Sequence, residues 1–228
     1  MRQLLVAAWL VAAAATVAGC GEGVNGDVTA TEAGAHTVNG SIHVPAGLHS
    51  GPLHTVNGSI HIDDNATVAT ATTVNGSIGL GAHATADSLK TVNGGVTLAD
   101  GARVTEAVTT VNGAIKLSSG ADVGGHVRNV NGSIVLTDAH VRGGLRTVAG
   151  NIDVVSGSRV EGGILVEKSS GWFNMNPRKP RIVIGPGAVV QGELRFERDV
   201  QLYVSDTATV GPITGATPIR FSGDNPPD

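Results

Sequence analysis

A chain of 228 residues fits one or two domains of ordinary size, at roughly 100–200 residues each. Only 3% of it is aromatic and 15% charged, while glycine reaches 33 residues; this excludes a core built on aromatic packing and favours small and β-branched side chains in thin β structure. The net charge of −4 gives no electrostatic ground for a nucleic-acid partner, and a single cysteine excludes an internal disulfide.

The chain opens with Met1-Arg2-Gln3, a short positive start, followed by an apolar run of 14 residues from Leu4 to Val17. That is the length of a signal-peptide core and falls short of the roughly 20 residues that span a bilayer. The run ends in Val17-Ala18-Gly19-Cys20, which resembles the lipobox of bacterial lipoproteins. The resemblance implies that residues 1–19 are removed, that Cys20 is acylated, and that 20–23 form a short tether. Acyl chains add about 0.8 kcal/mol per buried CH₂, so several of them hold a protein firmly to a membrane. Gly21, rather than Asp, follows the cysteine. By likeness to enterobacterial sorting rules, this implies export to the outer membrane rather than the inner.

Next comes a repeat. Thr37-Val38-Asn39-Gly40-Ser41-Ile42-His43-Val44 returns as Thr55-Val56-Asn57-Gly58-Ser59-Ile60-His61-Ile62, then from Thr73, Thr91, Thr110, Asn129 and Thr147, at spacings of 18, 18, 18, 19, 19 and 18 residues. Val24-Asn25-Gly26-Asp27-Val28 reads as a shortened first copy. A second phrase lies between copies of the first: Ala139-His140-Val141-Arg142-Gly143-Gly144-Leu145, Ser158-Arg159-Val160-Glu161-Gly162-Gly163-Ile164 and Ala188-Val189-Val190-Gln191-Gly192-Glu193-Leu194, closing with Ala208-Thr209-Val210-Gly211-Pro212-Ile213. The pitch therefore runs over 24–215, with one insertion at 168–180 and a tail at 216–228.

Asn-Gly between strand residues ordinarily signals a hairpin. Here the flanking segments are only about three residues long, and each copy resembles its neighbour at every column. One copy per coil of a parallel β-solenoid stacks like on like about 4.8 Å apart and buries a continuous core that no single repeat forms alone. The predicted fold is all-β: a single-stranded parallel β-helix, triangular, with about 18 residues per coil and about nine coils. Val38, Val56, Val74, Val92, Val111, Val130 and Val148 are expected as one internal row. The row of Ile42 and Ile60 and the row of Val44 and Ile62 supply two more. Asn and Gly are expected at a corner, where left-handed backbone is tolerated and stacked Asn side chains bond along the axis.

The Ala-x-Val-x-Gly-x-Leu phrase at 188–194, with its relatives at 139–145 and 158–164, resembles the bactofilins, cytoskeletal polymers with a right-handed triangular β-helix, and the resemblance implies a right-handed coil here. The Val-Asn-Gly-x-Ile coils look equally like exported adhesin-like β-solenoids. Both resemblances rest on periodicity over about 24–215. They imply a structural or interaction role for the protein, with itself or other envelope components as partners. The lipobox departs from the cytoplasmic bactofilins.

Catalytic chemistry is absent from the sequence pattern, so no enzyme activity and no cofactor are expected. Asp64, Asp100 and Asp138 share a column two coils apart, about 10 Å at the parallel spacing. That separation is just beyond the roughly 6.5–9.5 Å of an inverting carboxylate pair, so a polysaccharide-acting enzyme is the least favoured reading. His36 and His54 share one column and His43 and His61 another; they are the only metal candidates, and a structural zinc site ordinarily needs four ligands. The column of His36 and His54 continues through Lys90, Arg128 and Arg146 as a basic stripe suited to an anionic envelope component. The insertion, with Trp172, Phe173, Met175 and Arg178, has the composition of a recognition loop. A glycan- or metal-binding module of the envelope is the alternative function.

Overall fold

The computed structural model describes residues 21–168 and 178–227. Cys20 and the loop residues Trp172, Phe173 and Met175 lie outside the described residues. Within them every regular element is a strand, and the strands pair parallel and in register, coil upon coil, without a helix. Three ladders run the length of the molecule. The first climbs from Val28–Thr29 through Ile42–Val44 and Ile60–Ile62 to Ile219–Phe221, eleven strands in all. The second carries Ala35–Asn39, Leu53–Asn57 and later Leu145–Thr147 and Leu194–Phe196. The third carries His49–Ser50, Arg103–Val104, Asp122–Val123 and His140–Val141. Two long strands, Thr67–Asn75 and Thr85–Asn93, turn the corner from the third ladder into the second without a break. The result is a three-sided solenoid of about ten turns, with stacked coils of about 18 residues.

The expected boundaries move outward at both ends. Gly21–Asn25 already pairs with Ala35–Asn39, so the residues expected as a tether form the first strand. The residues expected as a tail supply the last rung, Ile219–Phe221 against Tyr203–Ser205. The insertion at 168–180 falls between Val166 and Arg181, and the ladder resumes across it with Ile152 opposite Ile182.

Strand alternation decides which side chains enter the core. Ile42, Ile60, Ile78, Val96, Ile115 and Ile134 form one buried row, and Val44, Ile62, Leu80, Leu98, Leu117 and Leu136 form another, as expected. Alanine lines the narrow corner beside the third ladder, at Ala66, Ala84, Ala102, Ala121, Ala139 and Ala188. The third expected row is reversed. Thr37, Thr55, Thr73, Thr91, Thr110 and Thr147 are the buried residues, whereas Val38, Val56 and their equivalents face outward and are half-buried. The physical reason is a hydrogen bond. The Oγ1 of Thr37, Thr55, Thr73, Thr91 and Thr110 donates to the carbonyl of Gly26, Gly40, Gly58, Gly76 and Gly94 at 2.8–3.2 Å, so the hydroxyl satisfies a corner carbonyl that valine would leave bare.

The corner itself is held by an amide ladder. From Asn39 to Asn131, each Asn Nδ2 donates to the Oδ1 of the Asn one coil earlier, at 2.7–3.0 Å. The expected left-handed backbone is found at Gly26 and Gly132, with φ of +117° and +123°, while the glycines of the coils between them are required by proximity. A Cβ on Gly40, Gly58, Gly76, Gly94 or Gly113 would stand 1.9–2.0 Å from the carbonyl oxygen of the glycine one coil below.

Candidate functional site

The second ladder presents one outward column along the whole rod. Its register is His36, His54, Thr72, Lys90, Thr109, Arg128, Arg146, Leu165, Arg195 and Thr214. The predicted basic stripe is therefore a real alignment, and it extends beyond Arg146 to Arg195. Its members differ in their partners. Arg128 Nη2 donates to Glu167 Oε2 at 3.2 Å, and Arg195 Nη2 lies 3.0 Å from Glu197 Oε1. Lys90 and Arg146 are exposed and make no ion pair among the described residues.

A groove of about 220 Å³ opens where this column meets the Gly-Gly corner. His126, Gly144, Arg146, Gly163, Glu193 and Arg195 line it. Glycine makes the recess: coils touch here backbone to backbone, and a Cβ on Gly163, whose φ is +89°, would meet Glu193 O at 2.3 Å. The backbone N–H groups of Gly144 and Gly163 find no acceptor among the described residues. His126 is held below the ordinary histidine range, first by burial and then by Arg146 and Arg128 beside it. Glu193 supplies the one carboxylate, which already accepts from Thr214 Oγ1 at 2.8 Å. The groove thus offers cationic donors and the partly exposed Gly144 N–H against the Glu193 carboxylate.

The remaining candidates resolve differently. The rings of His36 and His54 stack at 5.2 Å, nearly parallel, and those of His43 and His61 at 6.0 Å. Burial and then His36 lower the pKa of His54. Zinc binds imidazole nitrogen at about 2.0–2.1 Å, and rings stacked this way do not converge on one point. His43 Nε2 and His61 Nε2 instead share the Asp63 carboxylate at 2.8 and 3.1 Å, and no group of three or more His, Cys, Asp or Glu among the described residues is arranged to hold a metal ion. Asp64 and Asp138 work as turn residues: Asp64 Oδ1 accepts from Ala82 N at 2.7 Å, and Asp138 Oδ2 from Ser119 Oγ. Arg178, at the described edge of the insertion, is exposed.

One cluster escaped the sequence reading. Largely buried Asp122 accepts from Arg103 Nη1 at 2.8 Å and Arg142 Nη2 at 2.9 Å, with His140 Nδ1 3.2 Å away. His140 Nε2 in turn reaches Glu161 Oε1 at 2.9 Å. Aligning the third-ladder column, Arg103, Asp122, His140 and Arg159, would have revealed it. The network locks four coils together on that face. Arg195 escaped for another reason: the insertion separates it from the regular pitch.

Compared with protein-family models, with curated proteins and with solved structures, the chain matches none.

Proposed function

We propose that the protein is a lipid-anchored, non-catalytic envelope scaffold: a rigid rod held through Cys20 at the outer membrane, which engages its partners along its sides. One observation carries the reading. The first strand, Gly21–Asn25, begins at the residue after Cys20 and is paired into the stack, so an acyl anchor there joins the rod without a flexible linker. A rod mounted in this way presents its side faces at fixed height and orientation above a surface. The continuous register, the salt-linked third face and the groove on the second suit a stiff presenting surface, in keeping with the adhesin-like resemblance of the Val-Asn-Gly coils.

The test is fractionation of the full chain in a bacterial host with labelled palmitate. The natural chain is expected to take up label and sediment with outer membranes, while Cys20→Ala accumulates unlabelled in the soluble exported fraction. A Cys20→Ala chain that still sediments with membranes would overturn the anchoring.

A further inference from the structure

The geometry points to the groove between Arg146 and Arg195 as a binding site for an acidic glycan, a sugar chain carrying carboxylate or phosphate groups. The inference names a partner for the scaffold role and rests on it only for where that partner is met.

Three features select this chemistry. First, Arg146 is exposed with no ion pair among the described residues, and it stands two coils from Arg195 in the same column, about 10 Å at the parallel spacing. Two guanidinium groups at that separation reach different groups of one extended molecule, and guanidinium binds planar carboxylate or phosphate by paired hydrogen bonds. Second, the glycine floor lets a ligand approach the partly exposed backbone N–H of Gly144, which no described residue uses. Oriented backbone donors beside cations form a ready anion seat. Third, Glu193 stands in the same groove. A carboxylate repels a bare anion but accepts from hydroxyl groups, so a ligand with both anionic and hydroxyl groups satisfies the whole site. Leu165, half-exposed between the two arginines, offers the apolar contact that a sugar ring face requires.

A flat lipid surface fits less well, because the site is a recess and holds an acid. Nor does the net charge of −4 argue against the site, since recognition here is local: Glu193 is the one acid lining the groove, and Glu197 pairs with Arg195 while Arg146 stays exposed.

The test uses the full chain in mild detergent, with trigalacturonate as probe and calorimetric titration as readout. Saturable binding is expected, weakened about tenfold by Arg146→Gln, a change of about 1.4 kcal/mol. Arg195→Gln is expected to weaken it likewise, and Lys116→Gln, exposed on the first face, to leave it unchanged. Maltotriose and inorganic phosphate are expected to bind at least tenfold more weakly. Absence of saturable binding, equal binding of maltotriose, equal loss with Lys116→Gln, or binding only to phosphatidylglycerol vesicles would each overturn the inference. None of these results bears on the palmitate labelling of Cys20, so the anchoring stands or falls separately.

Discussion

Gly76→Ala is expected to destabilise the rod by about 2–4 kcal/mol, combining an overpacked contact with a broken buried hydrogen bond. The added Cβ would lie 1.9 Å from Gly58 O, which is backbone and cannot swing aside. That oxygen also accepts from Thr73 Oγ1 at 2.8 Å, so moving it disrupts the threonine ladder as well as the coil spacing. Gly79→Ala, three residues on in the same coil, is the internal control. Its Cβ would meet only His61 Nδ1 at an ordinary 3.5 Å, and alanine restricts the unfolded chain more than glycine does. Stability is expected to hold or to rise by about 0.5–1 kcal/mol there. Urea unfolding followed by circular dichroism measures both variants. A Gly76→Ala midpoint equal to that of the natural protein would refute the close-stacked corner.

Asn129→Thr is expected to act in the opposite direction and to stabilise by about 1–3 kcal/mol. Asn129 occupies the threonine column, fully buried, yet neither its Nδ2 nor its Oδ1 has a hydrogen-bond partner. The burial of an unmatched amide is costly. Threonine at this position would restore the pattern of the five coils before it, donating to Gly113 O as Thr110 donates to Gly94 O. The gain should appear as a rise of a few degrees in the thermal midpoint, since about 1 kcal/mol moves a domain of this size by roughly 2–4 °C. Unchanged or lowered stability would mean that the amide is satisfied after all, by a trapped water or by an altered corner.

The fold was legible because the repeat is nearly exact over its first seven copies. The spacing alone placed Ile42 on Ile60 and His36 on His54, and both pairs are cross-coil neighbours. Hydrophobicity misjudged the column before Asn-Gly. Valine outranks threonine as a core residue in water-transfer terms, but the corner has a carbonyl to satisfy, and only a hydroxyl in the interior can do that. The role of Gly was read only in part: Gly26 and Gly132 do take left-handed backbone, but sequence does not show how near the next coil passes at Gly40 to Gly113.

The candidate site was half legible. Lys90, Arg128 and Arg146 fall on the regular pitch, and their column stood out. Arg195 does not, because thirty residues separate Leu165 from it in sequence while one coil separates them in space. The groove also depends on glycines that read as corner residues until the neighbouring strands are placed. Ionic locking at Asp122 hid in the same way, behind acids and bases that look scattered along the chain.

Two devices protect the ends of the stack. At the first coils, the Thr31–Gly34 turn closes over the third ladder, with Ser50 Oγ donating to Thr31 O at 2.7 Å. At the last coil, Pro212 and Pro218 directly precede the terminal strands Ile213–Thr214 and Ile219–Phe221, and proline is confined to edge strands and strand starts. About ten turns at the parallel spacing give a rod of about 50 Å. The most direct test of the solenoid as a side-presenting rod is sedimentation velocity of the Cys20→Ala chain over a wide concentration range, with negative-stain microscopy of the same samples. A single elongated monomer about 50 Å long at every concentration is the predicted result. End-to-end filaments that lengthen with concentration would contradict it and make the rod ends the working surface.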